Sequence, residues 1–290
     1  MDRRSVTRAI GVMCVGVFFL ALNDALAKLL VERYSPFQIL FVRSLAATLM
    51  LIPFIVKAHG LAGFKTRTPG VHALRGLASL AATFAFIHAL SQLPLAVGTA
   101  LIFTAPLFVA VLSFLVFREA LKWVRTAAVI AGFAGALIII RPDTDSFEPA
   151  ALWALLAALL NATLMLSARF IHRNESFLTL MFYMSVVPAA LCTFTLGSDW
   201  GAVSWRDAGL FAGLAIFGTL GISMISQSFR MAPAATVAPF DYGAILWASL
   251  WGYLFWTDLP GASLWIGAVI IIASGLVVLR SEQRYAADPD

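Results

Sequence analysis

Charged residues are scarce in this chain: 12% of its 290 residues, against 61% hydrophobic. A soluble domain carries roughly 25% charged residues, and a soluble protein this apolar would present large adhesive patches to water. Long hydrophilic stretches are missing too, which excludes a second, soluble domain beside the apolar one. Cysteine is reduced to Cys14 and Cys192, both inside apolar runs. There they read as small buried hydrophobes rather than a disulfide or a metal pair. No grouping of His, Cys, Asp and Glu has metal-ligand spacing. There is no P-loop, no nucleophile elbow and no Asp-rich prenyl-diphosphate motif. No catalytic residue, metal or cofactor is therefore expected, and an ATP-driven pump is excluded for this chain alone.

What is present, from end to end, is apolar stretches of the length that crosses a bilayer, about 20 residues. Helices are expected at about 9–31, 36–57, 71–91, 95–117 and 122–140, and again at about 150–170, 178–197, 206–227, 233–256 and 261–279. The breaks between them carry charges, prolines and glycines: Ser35-Pro36, Lys57–Gly70, Pro94, Arg118–Lys122, Arg141–Pro149, Arg173–Ser176, Asp199–Asp207, Met231–Pro233 and Asp258–Gly261. Met1 to Arg8 resembles a signal-peptide n-region. The apolar run behind it is long and has no small-residue cleavage site, so it is read as an uncleaved first helix. The fold class is all-α integral membrane, with ten transmembrane helices.

The formal charge of +5 does not point to nucleic acid, because the basic residues are scattered through short loops. They serve better as topology signals. With ten alternating spans, 15 of the 20 Lys and Arg residues fall in the loop set that contains the N-terminus. Three (Arg33, Arg141, Arg206) fall in the other set, and Lys28 and Arg43 lie inside spans. By the positive-inside bias, both termini face the cytoplasm.

The chain also repeats itself. A shift of 139 residues lays Pro94 on Pro233, Ala96 on Ala235, Phe103 on Tyr242, Glu119 on Asp258 and Arg141 on Arg280. The two copies are taken as residues 1–145 and 146–290. Five spans per copy is odd, so the second copy lies upside down. Inverted repeats are the mark of alternating-access carriers, with the site near the midplane between the copies.

Charges within spans cost roughly 2.5–3.5 kcal/mol each on insertion scales and so mark function or pairing. Asp24 and Lys28, spaced i, i+4, share a helix face and are able to neutralise each other. Arg43 enters the second helix at a depth similar to Asp24. These three are read either as an ion-pair lock between the first two helices or as a substrate or gating group, and Lys28 alone as a snorkelling lysine. Asp241 lies about 12 Å along the ninth helix at 1.5 Å per residue, with no basic residue at i±3 or i±4. It either carries a proton, meets a cation on the substrate, or pairs with a base from another helix such as Arg43. Among neutral groups, Asn23, Asn161 and Gln227 either line a cavity or bond between helices, and His88, near the outer end of the third helix, is read as an interfacial or helix-bonding histidine rather than a proton relay. Phe103 and Tyr242, related by the repeat, are candidates to flank the midplane. Pro106 and Pro239 are candidate kinks.

The fourth helix, "AVGTALIFTAPLFVAVLSFLVFREALKW", and the ninth, "APAATVAPFDYGAILWASLWGYLFWTDLP", resemble the two copies of the fourth-helix motif of the drug/metabolite transporter superfamily, EamA branch. The segments "LNDALAK", "VHALRG", "RPDTDSFEP", "LMFYMS" and "ATVAPFDY" resemble the S-adenosylmethionine uptake transporters of that branch more closely still. That group implies an aromatic–basic–aromatic run after "AP"; here Phe240-Asp241-Tyr242 has an acid in the middle. The resemblance implies a bacterial inner-membrane carrier with a central cavity lined by spans one, three, four, six, eight and nine. The cargo expected is a small polar or zwitterionic metabolite with a flat ring, such as an S-adenosylmethionine-like or vitamin-like molecule. Asn23, Asp24, Arg43, Phe103, Asn161, Asp241 and Tyr242 are expected to bind substrate. Lys28, His88, Gln227, Pro106 and Pro239 are expected to gate or pair helices. The partners expected are the substrate, the bilayer and a coupling proton, with monomer and homodimer both open. An amino-acid or drug exporter is the alternative within transport. A membrane-embedded enzyme or receptor is the alternative outside it, but an enzyme needs clustered reactive groups at one membrane face and a receptor usually adds a soluble domain.

Topology gives the first test. Reporter fusions or cysteine labelling are expected to place residues 60, 120, 172 and 285 in the cytoplasm and residue 145 outside. A cytoplasmic residue 145 overturns the ten-span alternation.

Overall fold

The computed structural model describes residues 3–118, 123–142, 147–171, 175–195 and 200–287. Glu119, Lys122, Arg173 and the boundary between the two expected copies at 145/146 lie outside the described residues, as do the labelling positions 120, 145 and 172. Every regular element described is helical. In order these are α1 (Arg3–Val31), α2 (Pro36–His59), a 3₁₀ turn (Gly60–Phe64), α3 (Pro69–Leu90), α4 (Leu95–Ile102), α5 (Ala105–Phe117) and α6 (Trp123–Ile140). There follow α7 (Ala150–Ser167), α8 (Phe177–Cys192), α9 (Trp205–Met231), α10 (Ala234–Asp241), α11 (Ala244–Trp256) and α12 (Ala262–Ala287).

Local chemistry sets the starts. The hydroxyls of Ser35, Ser176 and Ser204 accept from the backbone N–H of Gln38, Thr179 and Asp207, capping α2, α8 and α9. Each satisfies one of the four amides that a helix start leaves unpaired. Pro36 and Pro69 occupy first-turn positions, where a missing N–H costs nothing.

Nine helical stretches among the described residues are long and apolar enough to cross a membrane. The stretch expected to be the ninth span, 233–256, is instead two short helices, α10 and α11. The expected fourth span is broken in the same way, into α4 and α5. The two breaks, Phe103-Thr104 and Tyr242-Gly243, are separated by the same 139 residues as the sequence repeat. So are the ends of α5 and α11, where Arg118 and Thr257 both adopt a left-handed backbone, φ 55° and 56°.

Packing repeats as well. α1 lies along α9 as α7 lies along α3, α2 lies along α8, and α6 lies along α12. Because lipid is as apolar as leucine, such contacts rely on close backbone approach through small residues. On α7, Ala150, Ala154, Ala157, Ala158 and Ala162 form a buried stripe. Between α6 and α12, a Cβ on Gly267 would lie 2.5 Å from the Gly135 carbonyl oxygen, and one on Gly135 would lie 2.9 Å from that of Gly267. Large apolar side chains point outward instead, among them Phe54, Leu74, Ile130, Leu246 and Val269, each more than half exposed. That outer surface suits hydrocarbon, and the chain is a multi-pass membrane protein.

The connections fall into two groups, each tied together by hydrogen bonds. In one, the Gln38 amide donates to the Gly201 carbonyl (2.7 Å), Tyr34 donates to Asp207 (2.8 Å) and Trp256 donates to Glu32 (2.6 Å). In the other, Thr179 donates to the Gly63 carbonyl and Tyr183 to that of Phe64, both at 2.8 Å. At the far end of α9, Ser228 donates to the Ala9 carbonyl at 2.8 Å.

Gly267→Val puts a branched side chain against the α6 backbone. It is expected to lower stability by about 1–3 kcal/mol, read as a fall in melting temperature of the purified protein. Gly209→Ala, whose added Cβ would meet nothing within 4 Å, is expected to leave it unchanged.

Candidate functional site

The breaks bring the repeat-related aromatics together. Phe103 follows α4, Tyr242 follows α10, and their ring centroids are 4.8 Å apart at a tilt of 46°. Pro106 sits in the first turn of α5 and has no N–H to carry the α4 ladder across the break. Pro239 lies inside α10, three residues before the second break. Gly275 on α12 makes room for Tyr242: a Cβ there would lie 2.2 Å from the tyrosine oxygen.

Beside these rings is a cavity of about 390 Å³, lined by Phe103, Pro106, Met165, Phe229, Asp241 and Tyr242. Asp241 lines it without a hydrogen bond or ion pair to any described residue. The pairing of Asp241 with Arg43 that sequence left open is not formed, because Arg43 instead neighbours Asp24. Asp24 and Arg43 interact electrostatically, yet they stay more than 4.0 Å apart. Asp24 accepts from the Asn23 amide at 2.9 Å. Arg43 opens into a second cavity, of about 120 Å³, between α2, α3, α8 and α9.

Lys28 does not neutralise Asp24. It is buried, donates to the Leu93 carbonyl and lies 5.0 Å from the Trp256 ring centre, near Glu32 and Asp258. It ties α1 to the α3–α4 connection rather than snorkelling. His88 packs edge-on against Trp153, 4.9 Å between centroids, and so joins α3 to α7. Asn161 is half-buried on α7 and Gln227 is exposed on α9. Neither lines the two cavities or bonds to a described side chain. The walls also differ from the expected set. The larger cavity uses α12, the smaller uses α2 and α8, and α1 lines neither. On α1, Phe18 packs 4.9 Å from Trp247 and Phe19 stacks 5.5 Å from Phe217.

The sequence model of the EamA-like transporter family matches residues 7–141 and again residues 148–280. The chain belongs to this family. It is 30% identical to an S-adenosylmethionine uptake transporter of Rickettsia bellii, over 93% of this chain and 94% of that one. It is 26% identical to a riboflavin transporter of Vibrio cholerae, over 95% and 94%. It is also 26% identical to a pseudopaline exporter of Pseudomonas aeruginosa, over 92% and 94%. One solved crystal structure shares the fold at a TM-score of 0.63 and 18% identity, covering 98% of this chain and 99% of that one. The EamA-like chain is thus a small-molecule transporter, not an enzyme.

Several polar residues of this EamA-like transporter were not singled out by sequence. Arg75, counted there with the loop charges, is 6% exposed inside α3. It donates to the Leu164 carbonyl and the Ser167 hydroxyl, both at 2.7 Å. Glu175 collects the hydroxyls of Thr66 (2.7 Å) and Thr68 (3.1 Å), the Arg67 N–H (3.1 Å) and the His72 ring. Asp207 accepts from Tyr34, Ser204 and Arg33 at 2.8, 2.9 and 3.3 Å. Each carboxylate fastens the connection between the first two spans of one half to the connection between the second and third spans of the other. The sequence signal was weak: an acid and hydroxyls in separate loops.

Burial alone would raise the Glu175 carboxyl, but the bonds from His72, Thr66, Arg67 and Thr68 outweigh it and bring it from 4.5 to about 2. A depressed carboxyl contributes stability that is complete above its unfolded value and lost as pH falls toward the folded one. Glu175→Gln is expected to cost about 2 kcal/mol at neutral pH. Its melting temperature should also fall less steeply than that of the unaltered chain between about pH 4.5 and 2. Parallel melting curves for the two proteins across that window would remove Glu175 as the titrating clasp.

Proposed function

We propose that this chain is a secondary carrier that moves a small zwitterionic metabolite with a flat ring across the bacterial inner membrane by alternating access. The observation that carries the reading is the larger cavity. It sits where both repeat-related helices break, and it presents one carboxylate, Asp241, that is unpaired among the described residues, beside two aromatic rings. Non-helical backbone at membrane depth is tolerated where it lines a cavity, and broken helices at a repeat interface are where carriers hold cargo. A volume of about 390 Å³ lies in the range of small-molecule sites. The rings offer a face to a flat cargo and to its cationic group. The relatives that carry S-adenosylmethionine and riboflavin by name make those two the first cargoes to assay.

In this reading α10 and α11 together form the tenth crossing. The support is that α9 ends beside Ala9 on α1, whereas α11 ends beside Glu32, at the other end of the same helix. The group of connections holding Gly63, Phe64 and Glu175 faces the cytoplasm with both termini, because the basic loops lie there. The two halves, 1–145 and 146–290, act as inverted repeats. Both contribute to the cavity within one chain, and the carrier works as a monomer or a homodimer, with no nucleic-acid partner.

Asp241 serves as the proton carrier. A lone carboxylate inside a span must be neutralised by a proton or a cation, and no described residue supplies the cation. The expected result for Asp241→Asn in proteoliposomes is loss of proton-driven uptake of S-adenosylmethionine or riboflavin to background, with exchange of labelled for unlabelled cargo retained. Unaltered proton-driven uptake overturns the coupling role. Loss of binding at every pH converts Asp241 into a cargo-binding group only.

A further inference from the structure

We propose that the smaller cavity and the Asp24–Arg43 pair beside it form a subsite for an α-aminocarboxylate headgroup. The proposal deepens, and rests on, the reading of the chain as a metabolite carrier, and it names the chemical class of the cargo. Arg43 lines the cavity from α2. Its guanidinium makes no hydrogen bond to a described residue, and no carboxylate oxygen comes within 4.0 Å. A half-buried guanidinium that lines a cavity and donates to no described residue is free to take an acceptor, and its planar fork matches a carboxylate. The other polar lining is hydroxyl: Ser44 beside Arg43, Ser79 and Thr83 on α3, Ser185 on α8 and Thr219 on α9. Hydroxyls both donate and accept, so Ser44, Ser79, Thr83 and Thr219 suit an oxyanion and its neighbouring groups without adding charge, whereas the Ser185 hydroxyl already donates to the Met181 and Phe182 carbonyls.

Asp24 decides which anion. The Asn23 amide bonded to it packs against Gly218, a wall residue of the cavity, where a Cβ would fall 2.7 Å from the Asn23 oxygen and 3.8 Å from Arg43 Nε. Asp24 does not itself line the cavity, but a carboxylate one residue behind Asn23 disfavours a phosphate dianion there. It attracts an ammonium. Asp24 and Arg43 feel each other's charge, yet they stay more than 4.0 Å apart, so each is left able to meet a further group. An α-aminocarboxylate supplies the matching plus and minus on adjacent carbons, and the assembled site is neutral, as a site inside a bilayer must nearly be. At about 120 Å³ the cavity holds a headgroup rather than a whole ring-bearing metabolite.

The test is a melting-temperature screen of the purified full chain. The panel contains the twenty amino acids, S-adenosylmethionine, its decarboxylated and deaminated analogues, and riboflavin. Bound ligand stabilises the folded state by mass action. At least one α-aminocarboxylate is expected to raise the melting temperature. Removing its carboxylate or its amine is expected to weaken binding at least about tenfold, the size of one charge-assisted hydrogen bond. Arg43→Lys, which keeps the charge and loses the fork, is expected to show the same loss. If that variant does not fold, the analogue comparison on the unaltered chain decides. Equal binding of the decarboxylated or deaminated analogue overturns the subsite, and so does a screen in which no α-aminocarboxylate binds. Riboflavin bound and transported while every aminocarboxylate fails overturns the subsite and leaves the transport reading intact. Headgroup-dependent binding without movement across vesicles supports the subsite and overturns the transport reading.

Discussion

Backbone amides and carbonyls inside a bilayer have no water to turn to, so a break in a helix there must be repaired locally or face a cavity. This chain breaks two helices, and the arrangement of its interior follows from how the breaks are repaired. At the first, Thr104 N–H donates to the Leu101 carbonyl and Leu107 N–H to the Thr104 carbonyl, at 3.0 and 2.9 Å. The Thr104 hydroxyl adds a third bond to the Leu101 carbonyl, at 2.7 Å. At the second, Gly243 N–H donates to the Phe240 carbonyl and Ile245 N–H to the Tyr242 carbonyl, both at 3.1 Å. Tight turns thus replace the α ladder at equivalent points of the two copies. Each turn leaves an aromatic residue, Phe103 or Tyr242, at the joint. The two joints meet, and the larger cavity opens beside them.

Around that interior, polar residues in the two sets of connections act as fasteners. Glu175 and Asp207 both belong to the second half and reach different connections of the first, so that they hold opposite ends of the bundle formed by α2, α3, α8 and α9. In this structure both ends are fastened. Lys28 adds a third tie, from α1 to the Leu93 carbonyl and Trp256. These charges lie toward the ends of spans, where each finds carbonyls, hydroxyls or an opposite charge. Asp24, Arg43 and Asp241 lie deeper and differ in kind, since none forms a close ion pair among the described residues. A buried charge without a close partner costs stability, so the fold retains three of its most expensive groups beside its cavities.

The span pattern, the repeat and the related pair Phe103 and Tyr242 were legible in the sequence because each rests on a local or periodic signal. Apolar length marks spans, one offset marks duplication, and a shared offset marks symmetry mates. The breaks themselves were not legible. Pro106 and Pro239 suggested kinks, but prolines are ordinary in membrane helices, and a kink and a full break differ only in tertiary context. The partners of the charges were legible in part. Depth along the helix put Arg43 level with Asp24, while the i, i+4 rule suggested a Lys28–Asp24 pair that the structure does not form. Helical spacing places two residues on one face but says nothing of what a third helix offers, and the Leu93 carbonyl with the Trp256 ring captures Lys28. Glu175 and Arg75 escaped for the same reason, since their partners lie about 90 to 110 residues away.

The two cavities divide the polar interior in a way that bears on how one carrier handles a composite cargo. One offers rings and a single carboxylate; the other offers a guanidinium, a nearby carboxylate and hydroxyls. A zwitterion with a flat ring needs both kinds of surface, and neither cavity supplies both. Residues on α9 line each of them, Gly218 and Thr219 in the smaller and Phe229 in the larger, about ten residues apart and thus about 15 Å along a helix at 1.5 Å per residue. In the proposed reading, a headgroup held at one and a ring held at the other occupy separate places along the same helix. For a carrier this separation has a physical advantage: cargo that satisfied every group at once would be bound too deeply to leave.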